Sequence, residues 1–166
     1  LVLHARQLSH LEPLVKELRG RGVEARAVAA ELSEGAQVDT MIDGVLRDLG
    51  GLDILYNNAA IMSPWRDPHT TPSEDYRKTF EINVVALVRL CDRFLPAMVS
   101  RRWGRIVNVT SGIENIRELL PYSMSKAAVD RYVRDVTPSL EGSCVIMSLL
   151  DPGWLRTDLG GEKAPN

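Results

Sequence analysis

The chain has 166 residues, 45% of them hydrophobic and 25% charged, with a formal net charge of -2. That is enough for one hydrophobic core, so a single domain over 1–166 is the expectation. A sequence pI near 5.9, with scattered basic residues, argues against nucleic acid or an anionic membrane surface as the main partner. No apolar run approaches the roughly 18 residues needed to cross a bilayer, and no targeting pattern opens the chain, so the protein is expected to be soluble and untargeted. Cys91 falls in an apolar helical stretch and Cys144 in an apolar strand. Two such cysteines read as buried thiols in a reducing, cytoplasmic setting, with no metal site.

Short β-like runs alternate with longer segments of helical period. "LVLHAR" (1–6) predicts a strand, followed over 8–22 by apolar residues at helical spacing and a glycine stop. "VEARAVAAEL" (23–32) returns to strand, and Ser33 is the expected N-cap of a helix whose apolar face is Val38, Met41, Ile42, Val45, Leu46 and Leu49. "LDILYNNAAI" (52–61) reads as a buried strand running into a polar turn. Thr71 with Glu74, and Pro72 between them, spells a capping box for a long helix over 74–101, bent at Pro96. "GRIVNVTS" (104–111) predicts a strand, 120–140 a helix, and "SCVIMSLLDPG" (143–153) the last strand. Strictly alternating β and α elements imply a parallel sheet with helices on both faces, an α/β architecture of three layers.

In such sheets ligands bind at the carboxyl ends of the strands. Here those ends read "HAR", "AEL", "NNAA", "NVTSG" and "DPGW". Turn chemistry alone explains any one of them; the set is harder to dismiss. In "PYSMSKAAVDRY" (121–132), Tyr122 and Lys126 stand four apart and face the same side of a helix. An ammonium near a phenol favours the phenolate, which suits a general acid/base. Alone the pair carries little weight, because chance produces it in roughly one such sequence in ten.

Taken in order, "NNAA", "FEIN", Ser111, Tyr122-x-x-x-Lys126 and "PGWLRTDLGG" resemble the short-chain dehydrogenase/reductase family, nicotinamide-dependent oxidoreductases on a Rossmann-like, doubly wound fold. The resemblance covers nearly the whole chain. It implies hydride transfer between a nicotinamide and a small-molecule carbonyl or secondary alcohol. Tyr122 would be the acid/base, Lys126 its pKa-lowering partner and holder of the nicotinamide ribose, and Ser111 the donor to the substrate oxygen. Asn83 would support a water linking Lys126 to solvent. Asn58, Ala59 and Ala60 would line the cofactor, Glu31 would contact the adenine amino group and Leu32 the adenine ring. Pro152, Gly153, Trp154 and Thr157 would cover the nicotinamide. The first strand ends in Ala5 and Arg6, without the acidic residue that holds a ribose 2′-hydroxyl, and a guanidinium suits a 2′-phosphate; NADP(H) is therefore favoured, with NAD(H) possible. The helices over 74–101 and 120–140 carry apolar stripes beyond the needs of one sheet face, and by resemblance they would pair about a two-fold axis in a homodimer or homotetramer.

Two departures qualify the match. The family's opening strand and glycine-rich, pyrophosphate-binding turn do not precede Leu1, and its substrate lid does not follow Asn166, so the chain is expected to be an internal piece of a longer protein. The missing strand belongs between "LVLHAR" and "LDILYNN", where its loss would leave ladder groups unpaired. Second, "GIENIRELLP" between Ser111 and Tyr122 is about two residues shorter than the family's common interval. Glu114, Arg117 and Glu118 make it unusually charged, implying that it turns to solvent or that the substrate is polar. The alternative from another class is a catalytically silent Rossmann-like protein that senses a dinucleotide or acts as a scaffold.

Overall fold

A computed structural model of the chain describes residues 1–112, 116–162, 164 and 165. It divides into two compact units, Leu1–Gly50 and Gly51–Asn166.

In the first unit, β1 (Val2–Ala5) pairs in parallel with β2 (Arg26–Ala29), Leu3 lying opposite Ala27. Helix α1 (Glu12–Gly20) runs between them, and Leu11, Val15 and Ala25 form a small core closed by Leu3, Ala5, Leu18 and Ala27. Helix α2 (Gly35–Leu49) buries Val38, Ile42 and Val45 from the expected face and stops at Gly50, whose φ of 71° is the left-handed conformation glycine accepts without strain. Its N-cap is Glu34, not Ser33, and makes no side-chain bond. The turn is built instead by Gln37, whose Oε1 accepts from the Glu31 N–H at 2.9 Å. Ser33 is occupied in giving its own N–H to Glu31 Oε1 at 3.2 Å.

The second unit carries a three-stranded parallel sheet in the order β3 (Ile54–Asn57), β4 (Gly104–Val109), β5 (Val145–Leu150). Leu55, Ile106 and Met147 stand abreast and are buried, whereas Ile54 and Ile146 on the opposite face are 59% and 53% exposed. Helices over both faces were expected; of this unit's sheet, one face is buried. The strands thus lie in two parallel sheets, β1-β2 and β3-β4-β5.

Helix α3 (Ser73–Phe80) passes through a π turn (Glu81–Val85) into α4 (Ala86–Arg101). The expected long helix is therefore interrupted at residues 81–85, while α4 continues through Pro96. The capping box does not form: Pro72 is the N-cap, and the Thr71 hydroxyl donates to the Asp67 carbonyl at 3.0 Å. A third helix, α5 (Leu120–Val136), ends in a short 3-10 turn over Thr137–Leu140 and completes the unit. Cys91 is buried as expected, but Cys144 is exposed, because it sits in a left-handed turn (φ 62°) just before β5 begins. Among the described residues no helix is long and apolar enough to cross a membrane, and no group of His, Cys, Asp or Glu is spaced to hold a metal.

Helix α4 reaches β4 through Met98, which is fully buried. A Cβ on Gly104 would lie 2.6 Å from both the Met98 Cβ and Sδ, so only hydrogen fits between helix and strand. Gly104→Ala is expected to cost about 1–3 kcal/mol through overpacking, read as a lower urea midpoint at unchanged slope.

Candidate active site

The strand ends of the second unit and the first turns of α5 bring the Ser111, Tyr122 and Lys126 side chains together. Ser111, just past β4, lies close enough to the Tyr122 phenol for its hydroxyl to favour the phenolate. Four residues on from Tyr122, the Lys126 ammonium lies 5.8 Å from the tyrosine ring centroid and donates to the Val109 carbonyl at 2.7 Å. Both side chains are nearly inaccessible, Tyr122 at 7% and Lys126 at 4% exposed. The neighbouring Thr110 hydroxyl is occupied by the Asp130 carboxylate, one turn beyond Lys126 on α5, which leaves Ser111 as the hydroxyl on the phenol.

Proton affinities differ from the expectation. Tyr122 was expected below the ordinary tyrosine value under the pull of Lys126; burial instead pushes it up, the Ser111 hydrogen bond opposes that push, and the Asp151 carboxylate adds to it. Lys126 is not among the groups that offset the burial. Burial lowers its pKa to about 8, with the Asp130 carboxylate pulling the other way.

Asn83 sits in the π turn, and its amide is saturated. Its Oδ1 accepts from the Ile61 N–H at 2.8 Å, while its Nδ2 donates to the Ile61 carbonyl at 2.9 Å and to Ser125 Oγ at 3.0 Å. Ser125 in turn donates to the Tyr122 carbonyl at 2.7 Å. The side chain therefore clamps the turn after β3 to α5; its bonds run to Ile61 and Ser125, not to Lys126. π turns frequently mark functional positions, and the sequence signal for this one was a lone asparagine in an apolar helical run.

Sequence reasoning missed Asp151. It follows β5, accepting from the Gly112 N–H at 2.8 Å on one carboxylate oxygen and from the Gly153 N–H at 2.9 Å on the other. The "DPGW" turn had drawn attention through its proline and glycine, and an aspartate before them reads as ordinary turn chemistry.

Among the expected cofactor residues of this unit, Asn58 and Ala59 are exposed and Ala60 half-buried, whereas the preceding Asn57 is buried against Asn108 Oδ1 at 2.9 Å. Pro152 is half-buried, and Gly153, at a φ of 72°, has no atom within 4 Å of where a Cβ would stand. Trp154 is 56% exposed and donates its indole N–H to the Gly160 carbonyl at 2.8 Å. The Thr157 hydroxyl accepts from the Gly160 N–H at 3.1 Å. Small, open strand ends beside a buried phenol and ammonium fit the nicotinamide and ribose end of a dinucleotide. Of the charged loop, Arg117 is largely exposed and pairs with Glu118 at 3.3 Å and Asp67 at 3.7 Å; Glu114 lies outside the described residues.

In the first unit, Arg6 follows β1, is exposed, and has no ion-pair or hydrogen-bond partner among the described residues. Such a cation fits a phosphate. Glu31 is half-buried, and Leu32 is only 7% exposed, with little surface left for a ring. Among the described residues no strand-to-helix turn contains more than one glycine, so the pyrophosphate cradle is not supplied by these residues.

The sequence matches the short chain dehydrogenase family over residues 1–166. The chain belongs to that family. It is 30% identical over 160 residues to the uncharacterized oxidoreductase YvrD of Bacillus subtilis, covering 95% of this chain and 60% of that protein. It is 33% identical over 156 residues to human 17-beta-hydroxysteroid dehydrogenase 13, covering 88% and 52%. Among solved structures, a metagenomic short-chain oxidoreductase in complex with NADP superposes with a TM-score of 0.86 at 28% identity, covering 91% of this chain and 69% of that one. An NAD+-bound xylitol dehydrogenase does so at 0.84 and 26%, covering 92% and 60%. The α/β, Rossmann-like fold is thus that of a short chain dehydrogenase, and the chain spans about half the length of the curated relatives it matches.

The buried ammonium generates a pH signature. Lys126 titrates near 8 in the folded chain and near 10.4 unfolded, so between these values the unfolded chain binds more protons and stability rises with pH. Below pH 8 the cost of burying the charge is fully present. Relative to Lys126→Met, the wild type is expected to gain about 2 kcal/mol between pH 7 and 9.5, measured by denaturant unfolding at each pH. A constant difference would mean that the ammonium is not desolvated.

Proposed function

We propose that the protein is the catalytic part of an NAD(P)-dependent oxidoreductase acting on a carbonyl or secondary alcohol of a small molecule. The observation that carries this reading is the convergence of the Ser111 hydroxyl, the Tyr122 phenol and the Lys126 ammonium in one nearly buried site. A bound nicotinamide would supply or accept the hydride. The chain's own residues handle the oxygen and its proton. Ser111 donates a hydrogen bond towards the substrate oxygen, and Tyr122 gives that oxygen its proton in reduction or takes it back in oxidation. A phenol held above its ordinary pKa is protonated at neutral pH, the form that a developing alkoxide needs. Lys126 keeps a positive charge beneath the ring and offers its remaining N–H groups to the ribose hydroxyls.

NADP(H) is the preferred cofactor in this reading. An unpaired guanidinium at Arg6 attracts a 2′-phosphate, and no carboxylate stands at the strand end to repel it. Asn58, Ala59, Ala60, Pro152, Gly153, Trp154 and Thr157 would line the nicotinamide end, and Glu31 and Leu32 the adenine end. We also place assembly here: Val85 and Val99 on the outer side of the π turn and α4, and Met124 on α5, are exposed apolar residues suited to a two-fold helix interface between copies, in a cytoplasmic homodimer or homotetramer.

The test uses the full-length protein. NADPH fluorescence titration is expected to show tighter binding than NADH, with the advantage falling about tenfold or more in Arg6→Ala. Across a panel of carbonyl substrates, Tyr122→Phe is expected to lower kcat by about 100-fold to 10,000-fold while leaving NADPH binding intact. Binding with no turnover of any substrate would instead identify a silent dinucleotide sensor. Light scattering at micromolar concentration is expected to report a dimer or larger; a monomer alone would remove the helix interface.

A further inference from the structure

The ladder between β4 and β5 runs in register to Val109 opposite Leu150 and is extended one step by the Thr110 N–H, which donates to the Leu150 carbonyl at 2.9 Å. Beyond that point the two strands end and each runs into its own turn. There a single carboxylate takes over from the backbone: Asp151 accepts from the Gly112 N–H on one oxygen and from the Gly153 N–H on the other. Gly112 is shaped to it, since a Cβ at that position would stand 2.7 Å from Asp151 Oδ2. No positive φ requires glycine at 112; the space taken by the carboxylate does.

We propose that Asp151 is a positioning residue whose carboxylate fastens the Ser111–Gly112 turn to the turn after β5 and presents a negative charge to the Tyr122 phenol. The first role fixes the residue adjoining the Ser111 hydroxyl, so that hydroxyl stays on the phenol. The second role makes it harder for Tyr122 to lose its proton. Among the described residues, the groups that act on Tyr122 divide by charge. Lys126 on its own helix is the cation, Asp151 from the β5 turn is the anion, and Ser111 after β4 is neutral; Asn83 in the π turn, also neutral, reaches it through Ser125. Asp130, which faces Lys126, also accepts from Thr110. Asp151 thus biases the phenol towards its protonated form, the one needed to donate a proton. Its carboxylate also sets how firmly Ser111 is held.

The inference rests on Tyr122 as the proton-handling group, so its test reads that group directly, in the full-length protein without cofactor or substrate. Tyrosine labelled with carbon-13 at Cζ is titrated by NMR, and Tyr122 is assigned by its disappearance in Tyr122→Phe. Asp151→Asn, nearly isosteric, is expected to move the Tyr122 midpoint acidward by about half a pH unit, roughly a threefold loss of proton affinity. Asp151→Ala, which removes both acceptors, is expected to raise hydrogen exchange at the Gly112 and Gly153 amides about tenfold. A Tyr122 midpoint in Asp151→Asn that is unmoved or shifted alkaline overturns the charge role. Unchanged exchange at Gly112 in Asp151→Ala overturns the fastening role. Because neither readout needs turnover, both results stand even where no substrate is reduced, and failure of the oxidoreductase reading remains distinguishable from failure of this one.

Discussion

The site depends on a buried ammonium. Lysine is among the residues least often buried, because a desolvated cation is costly unless partnered. Lys126 is nevertheless 4% exposed, and its Nζ is received by the carbonyl of Val109, the last residue of β4. That contact makes the strand end a ligand for the helix. It also sets the price of moving either element, since any displacement that separates Nζ from the carbonyl leaves a charge in low dielectric without its hydrogen-bond acceptor. The same burial that strains Lys126 towards neutrality raises Tyr122. A cation whose pKa falls and a phenol whose pKa rises are thus one consequence of one apolar environment acting on groups of opposite charge type.

Around this pair the chain lays a framework of satisfied polar groups. Asn57 and Asn108 are abreast in β3 and β4 and bonded to each other at 2.9 Å, with Cys91 of α4 accepting from Asn57 at 3.5 Å. The Cys91 thiol is pushed up to about 12 by burial, which makes it a packing group rather than a nucleophile. Asn83 clamps Ile61, Thr110 holds Asp130, and Asp151 joins two turns. Each bond lies at or just past the carboxyl end of a strand, where the ladder no longer supplies partners and side chains must. Bonded polar groups restrain what they join, and these, buried at Asn57, Asn83 and Asn108 and exposed at Asp151, join the segments that carry Ser111, Tyr122 and Lys126.

The elements were legible in the sequence where periodicity spoke through apolar residues. All five strands and the helices over 8–22, 34–49 and 120–140 fall where the patterns put them, because burial of one face is what both the pattern and the fold express. Helix starts were less legible. Ser33 and Thr71 have the right chemistry for caps, yet their hydrogen bonds go elsewhere in the structure, since nearby Gln37 and Asp67 compete for the same backbone. The π turn at Glu81–Val85 has no signature in local propensity. It accompanies a tertiary bond, Asn83 to Ile61, made between residues 22 apart in sequence. Within the site, residue types at helical spacing foretold which side chains meet, but not the direction in which burial shifts them. Desolvation belongs to the folded surroundings, whereas spacing is written in the chain.

The bonds around the phenol and the charge that follows the first strand lie in different parts of the sequence. The hydrogen bonds that position Ser111, Tyr122, Lys126 and Asn83 are all made within Gly51–Asn166. Their geometry follows from the register of three parallel strands and from the turns at those strands' ends. Arg6, Glu31 and Leu32, by contrast, belong to Leu1–Gly50, whose small core of Leu11, Val15 and Ala25 is built from its own helix and strand. A substitution at Arg6 therefore alters a charge in the first unit without touching the bonds that set the phenol. One that loosens the β4 or β5 turn acts on the phenol and leaves the charge at Arg6 where it is. The bonds around Tyr122 and the charge at Arg6 can be altered separately, because each is built from its own unit's residues.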